Sequence, residues 1–282
     1  MFNPRPKQQK VIDFTQGKMG VAAVPGSGKT QTLSFLAAKL IHDGFIEEGQ
    51  EILVVTMTNS AVGNFQSRID GFIHGYGMIK GIGYRVRTLH GLAHDIVRER
   101  PDLVGLPTQF NIIDEREASL MLESSVRDWL IANPEVEDRY FLPDMRMNNQ
   151  KKWIDTIIGC CVAFIRTAKD QKIKAEDLSA KLSALDVEPL LLRMGCDVYA
   201  DYTRKLSLRE GVDFDDLIRY ALYALQTDPE FLKRLRVRWP YILEDEAQDS
   251  SRLQQDILEL LSAEGGNWVR VGDPNQAIFE TF

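Results

Sequence analysis

The hydrophobic pattern changes period several times along the chain. Ile52–Thr56 is a nearly unbroken β-branched run, which predicts a strand buried on both faces of a parallel sheet. Other short apolar runs predict strands at residues 20–24, 110–113, 241–243 and 268–271, and Tyr84–Thr88, alternating around Val86, predicts one more. Helical spacing separates them. Val11, Ile12 and Phe14 mark residues 7–16, and Leu33, Leu36, Ala37 and Leu40 mark residues 29–42. Thr58 and Asn59 stand where an N-cap belongs, ahead of a helix over 61–73. Asp114 with Glu117 makes a capping-box-like start for a helix to about residue 131. From 115 to 209 the pattern is almost wholly helical, punctuated by Pro134 and Pro143. Asp213-Phe214-Asp215-Asp216-Leu217 opens a further helix, its carboxylates suited to the positive helix end. Helices over 229–236 and 250–261 complete the set. Strands alternating with helices predict an α/β fold with a parallel sheet.

Composition narrows the class. A chain of 282 residues, 44% apolar and 27% charged, has the make-up of a soluble globular protein with a sizeable core. Thirty-four basic side chains against 41 acidic ones leave a net charge of −7, so a nucleic-acid partner would need a local patch. One lies at 146–174, where Arg146, Lys151, Lys152, Arg166, Lys169, Lys172 and Lys174 face two acids, Asp155 and Asp170. With Trp153 as a stacking group, that segment is a candidate phosphate-tracking face. Helices also carry solvated lysines routinely, and Trp153 can equally be core. Cys160, Cys161 and Cys196 are odd in number, which argues against a disulfide framework and for a reducing, cytoplasmic setting; the adjacent pair reads as buried packing. The sequence holds no run long and apolar enough for a membrane span and no signal-peptide core.

The chemistry concentrates at strand ends. After the first strand comes Ala23-Val24-Pro25-Gly26-Ser27-Gly28-Lys29-Thr30, then a helix. Gly26 and Gly28 permit the backbone N–H groups to curl around an anion, and the helix start adds its own amides and dipole. Lys29 can reach terminal phosphates and the Thr30 hydroxyl can hold Mg²⁺. The strand at 241–243 ends in Glu244-Asp245-Glu246, and it is expected to lie alongside the first strand. There Asp245 would hold the metal through its water shell and Glu246 would deprotonate an attacking water; a capping acidic turn is the bland alternative. Gln276, past the last strand, is placed to sense a γ-phosphate, and Gln8 carries the donor and acceptor that reading an adenine edge needs. His90 and His94 share helical spacing, but Gly91 between them and the lack of a third ligand make Thr88 and His90 substrate-loop candidates rather than a zinc pair.

The order of these sites resembles the UvrD/Rep/PcrA-like superfamily 1 DNA helicases over nearly the whole chain. Asp245-Glu246-Ala247-Gln248-Asp249 is similar to that family's Asp-Glu-x-Gln-Asp box, and residues 213–217 are similar to another of its signatures. The resemblance implies a RecA-like P-loop NTPase core over 1–105 and 206–282, with a helical insertion at 106–205. It implies that Gln8, Pro25, Gly26, Ser27, Gly28, Lys29, Thr30 and Gln31 hold ATP, that Thr30 and Asp245 hold Mg²⁺, and that Lys29, Asp245, Glu246 and Gln276 serve catalysis. Thr56, Thr58, Asn59, Thr88 and His90 would touch single-stranded DNA, with Lys151 and Lys152 as further candidates. The family usually has an aromatic at Met57, a glycine at Val24 and an arginine at Gln31, and its pattern after Gln276 does not match Thr281-Phe282. The implied activity is ATP-driven, 3′-to-5′ movement of a monomer on single strands and into duplex junctions. A second core domain with an arginine finger is expected beyond Phe282, so that this chain alone turns over weakly. A P-loop NTPase with no nucleic-acid substrate, such as a kinase, and a binding fragment that does not turn over are the alternatives.

Overall fold

The computed structural model describes residues 3–136, 146–184 and 189–273, so Pro143 and Gln276 lie outside the described residues. Two compact units emerge, one formed by residues 1–104 and 220–282, the other by residues 105–219.

The first unit is built on five parallel strands: β1 (Lys18–Ala22), β2 (Ile52–Thr56), β3 (Tyr84–Thr88), β6 (Tyr241–Asp245) and β7 (Asn267–Gly272), in the order β1-β7-β6-β2-β3. The α/β expectation holds. Alternation explains the burial. Ile52, Val54, Val86, Leu243 and Val269 pack under α2 (Lys29–His42) and α3 (Asn59–Gly75), against Leu33, Leu36, Phe65 and Ile69. Leu53, Val55 and Ile242 point the other way and are buried as well. A central parallel strand covered on both faces therefore reads as a continuous apolar run. At the edge, β1 is half-exposed in alternation, and its sequence is correspondingly less apolar.

The strand at 241–245 does not lie beside the first strand as expected. β7 stands between them, pairing Ala22 with Gly272 on one side and Asp245 with Val271 on the other. Parallel strands need crossover connections, so sequence order does not dictate neighbours. Because all five strands run the same way, their carboxyl ends share one edge, which is where ligands bind in open α/β sheets. Along that edge the sheet order sets out the loop after β1, Asp273, Glu246, Thr58 and His90.

The second unit is helical: α5 (Glu115–Ala132), α6 (Arg146–Asp170), α7 (Ala175–Ser183) and α8 (Leu190–Leu208), with a two-stranded ribbon of β4 (Asn111–Ile112) and β5 (Gly211–Val212). Its core gathers Val126, Trp129, Cys161, Ile165, Val198 and Tyr199, and Trp153 packs against it from the rim rather than standing out as a stacking platform.

Two readings of this region change. Lys169 is not on a phosphate-tracking face: it is 2% exposed and bonded to Asp213 and, at 2.8 Å, to Asp216. Burial pulls an ammonium pKa down, but Asp216 and Asp213 more than offset that and hold Lys169 charged above the usual lysine range. Asp213, also approached by the Tyr202 hydroxyl at 2.6 Å, is held below the usual aspartate range; burial opposes this and Lys169 outweighs it. The Asp213 carboxylate thus does more than cap the helix, although its Oδ1 does accept from the Asp216 N–H at 2.8 Å. The cysteines also separate: Cys161 is buried and Cys160 exposed, as successive helical positions 100° apart require.

Candidate active site

The loop after β1 is shaped by two left-handed glycines, Gly26 (φ 72°) and Gly28 (φ 86°). At Gly28 a side chain is excluded twice, because a Cβ there would also stand 2.9 Å from Gln8 Nε2. Gln8 lies on α1 (Pro6–Ile12), where its Oε1 accepts the Arg5 N–H at 2.9 Å and its Nε2 donates to the Ser27 carbonyl at 3.0 Å. A short helix therefore clamps the loop from outside.

Lys29, the first residue of α2, reaches past β7 to the turn after β6. Its ammonium sits 2.6 Å from Glu246 Oε2, with the lysine side chain 9% exposed. Glu246 takes a left-handed backbone (φ 54°), a conformation costing a non-glycine residue about 1 kcal/mol or more. That turn separates three consecutive carboxylates. Glu244 faces away, fully buried, accepting from Ser250 Oγ at 2.9 Å, Trp268 Nε1 at 3.1 Å and Arg270 Nε at 2.8 Å. Burial pushes its pKa up all the same. Glu246 lines the cleft, and Asp245 is the buried carboxylate next to it in the chain.

Asp245 is buried, and its Oδ1 has no hydrogen-bond partner among the described residues; the same is true of Ser27 Oγ in the loop. Burial, then the neighbouring Glu246 charge, push the Asp245 pKa up to about 6 against the pull of Lys29. A desolvated carboxylate with an orphaned oxygen beside a glycine-rich anion cradle has the donor chemistry a hard divalent cation takes. The residues present fit such an ion.

A cleft of about 360 Å³ opens here, lined by Pro25, Gly26, Gly28, Lys29, Thr30, Gln31, Arg68 and Glu246. Of the expected phosphate- and metal-site residues, the loop, Lys29, Thr30, Asp245 and Glu246 come together. Sequence reasoning does not anticipate Arg68. It lies on α3 three residues past buried Phe65, bordering the apolar stripe Phe65, Ile69, Ile73, and its Nε donates to Asn64 Oδ1 at 2.7 Å. A cation at the margin of a buried stripe is the one signal the sequence offers for it. Gln248 stands out in the sequence only as part of a motif, although its amide bridges Glu246 and the end of β7.

The remaining candidates are placed differently. Thr58 and Thr88 spend their side-chain oxygens as N-caps, accepting from Ala61 N at 3.2 Å and Gly91 N at 3.0 Å. Asn59 opens α3 exposed, His90 is half-buried in the first turn of α4 (Leu89–Glu99), and Thr56 is 1% exposed, out of reach of a polymer. Lys151 and Lys152 are exposed on α6 of the helical unit.

A family model described as the UvrD/REP helicase N-terminal domain matches residues 5–281. The chain belongs to this family. Its five-stranded parallel sheet is the RecA-like α/β core of that UvrD/REP domain. Similar curated proteins include a probable DNA helicase II homolog of Rickettsia felis, 29% identical over 276 residues that make up 97% of this chain and 38% of that protein. An ATP-dependent DNA helicase PcrA of Staphylococcus epidermidis is 26% identical over 277 residues, 98% of this chain and 34% of the relative. The PcrA of Staphylococcus aureus is 26% identical over 273 residues, 97% and 33% respectively. The chain thus spans about a third of the length of the curated relatives it matches. No helix among the described residues is long and apolar enough to cross a membrane.

Proposed function

We propose that this chain binds Mg-ATP in the cleft after β1 and hydrolyses it as the nucleotide-handling part of an enzyme that moves on single-stranded DNA and opens duplex junctions. One observation carries the reading. Lys29 and Glu246 close on each other at 2.6 Å, and two buried oxygens within two residues of them in the chain, Ser27 Oγ and Asp245 Oδ1, have no hydrogen-bond partner among the described residues. A cation, a base and unsatisfied acceptors at a glycine-rich helix start form a site pre-arranged for a charged phosphate group.

The residues divide the work by their chemistry. Amides of residues 26–30 and the α2 dipole take the phosphate oxygens, and Lys29 leaves Glu246 for the terminal phosphates. Glu246, released, accepts a proton from water aligned with the γ-phosphorus. Thr30 and Asp245 would hold Mg²⁺, which when bound neutralises charge developing on the phosphate oxygens. Gln31 lines the cleft, and Gln8, which the resemblance assigns to the base, braces the loop through the Ser27 carbonyl. Exposed Thr58 and Asn59 and half-buried His90, at the α3 and α4 starts on the same sheet edge, offer polar groups to a DNA strand, and Gln276 is assigned to the γ-phosphate on the resemblance alone.

The test is steady-state ATP turnover with and without single-stranded oligonucleotide, beside binding of a fluorescent ATP analogue. Turnover is expected to rise with DNA, and Lys29→Ala to abolish analogue binding. Unchanged affinity in Lys29→Ala removes the nucleotide reading. DNA-indifferent turnover with intact binding removes the DNA reading and leaves an NTPase of another kind.

A further inference from the structure

Gln248 occupies the turn Ala247–Asp249, one residue after β6, and is 2% exposed. Its two ends do different things. Nε2 donates to Glu246 Oε2 at 2.8 Å and to Asp249 Oδ2 at 3.2 Å, while Oε1 accepts the Asp273 N–H at 3.0 Å. Asp273 follows the last residue of β7, the strand lying between the phosphate loop and the carboxylate turn. The oxygen of Glu246 that Gln248 holds is the one that Lys29 also holds.

We propose that Gln248 is a positioning residue of this site, which keeps the Glu246 carboxylate aimed into the cleft once Lys29 has left it and ties that aim to the end of β7. The proposal rests on Glu246 being the group that accepts the proton of the attacking water. Its physical basis is the loss of one partner on binding. In the structure Oε2 of Glu246 is restrained by an ammonium and an amide. A phosphate that draws Lys29 away removes the first restraint, and a glutamate held in left-handed backbone then needs another to keep its rotamer. The Gln248 amide supplies it without adding charge. Its chemistry also explains why a glutamine is needed. A glutamate has no proton to give Glu246, a lysine cannot accept the Asp273 N–H, and a shorter asparagine cannot span both partners. A buried amide satisfied at both ends is stiff, because leaving either partner unmade costs its desolvation. Movement at the end of β7 and movement of the base are thereby one event.

Two variants separate the two ends. Gln248→Ala removes both bonds, whereas Gln248→Glu keeps an acceptor for Asp273 and loses the donor to Glu246. Single-turnover hydrolysis of labelled ATP in the unmodified and variant chains reads the chemical step. Hydrogen exchange at the Asp273 amide, with and without a non-hydrolysable Mg-ATP analogue, reads the tie to β7. Both variants are expected to hydrolyse about 10–100-fold more slowly, the range for loss of an orienting partner, with analogue affinity within about threefold of the parent. Asp273 should exchange faster in Gln248→Ala and remain protected in Gln248→Glu. Hydrolysis by Gln248→Glu at the parent rate overturns the proposal, because a purely structural link to Asp273 survives in that variant. Proportional loss of rate and affinity, with a lowered melting temperature, overturns it as well. Glu246→Gln serves as the control: if it hydrolyses like the parent, the failure lies with Glu246 as the base, and the positioning role falls with it.

Discussion

Truncating Lys169 to alanine would leave Asp213 and Asp216 facing each other in a site closed to water. Removing one partner of a buried charge cluster costs about 3–5 kcal/mol, whereas replacing all members by apolar groups is often neutral. Lys169→Ala is therefore expected to destabilise the helical unit by that amount, and Lys169→Met combined with Asp213→Leu and Asp216→Leu to recover only part of it, since Tyr202 and Arg219 then lose the partners they have in Asp213 and Asp216. Urea unfolding followed by tryptophan fluorescence measures both; a loss under about 1 kcal/mol for the alanine variant would contradict the buried-pair account. The burial of this lysine was legible in principle. Cys161, Ile165 and Ala168 mark a buried stripe, and Lys169 falls four residues after Ile165. Counting charge along the segment hid what helical spacing showed. The same lesson holds at Glu244, Asp245 and Glu246. Charge counting alone does not separate three adjacent carboxylates, and strand alternation followed by a left-handed turn sends Glu244 to Arg270 and Glu246 to Lys29. Lys29, Thr30, Asp245 and Glu246 were legible because phosphate and metal chemistry demands those residue types. Arg68 was not, since its position depends on how α3 packs.

Among whole elements, α2, β2 and β3 have the bounds that their apolar periodicity predicts, because each is buried enough for pattern and structure to coincide. β1 begins two residues early, at Lys18, where an edge strand tolerates polar side chains. β6 runs through Glu244 and Asp245 because buried partners and the cleft accept their charges, which an apolar-run criterion excludes. β5 is only Gly211–Val212 and carries no pattern of its own. For α6, burial of Lys169 removes one charge from the proposed DNA face and leaves Lys151 and Lys152 exposed near its start. If those two pair with phosphates, Lys151→Glu with Lys152→Glu should weaken single-strand binding and flatten the log K against log salt slope by about 1.4, roughly 0.7 for each phosphate no longer neutralised. Oligonucleotide titrations across a salt series measure it, and an unaltered slope places the DNA path on other residues.

At the scale of the molecule, the question is how much of a hydrolytic site 282 residues can hold. Among the described residues the cleft offers two cations, Lys29 and Arg68, and both are fixed from within the first unit: Lys29 by Glu246 and Arg68 by Asn64. Binding of a nucleotide needs little more than the loop amides, Lys29 and a metal site. Hydrolysis needs more, because charge spreads over the transferring phosphoryl oxygens in the transition state, and a further arginine delivered from another domain or protein is worth ~10³–10⁵ in rate in related enzymes. The resemblance to the helicase family implies that such an arginine is delivered to the cleft rather than built into it. Affinity and rate should therefore separate. This chain is expected to bind Mg-ATP analogues within about tenfold of a full-length relative, a difference of at most ~1.4 kcal/mol, yet to hydrolyse ATP at least ~10³-fold more slowly. Single-turnover rates measured beside analogue affinities in both proteins decide it. Equal rates would mean that Lys29 and Arg68 already supply the transition-state charge. In that case Arg68→Ala should carry the ~10³-fold loss.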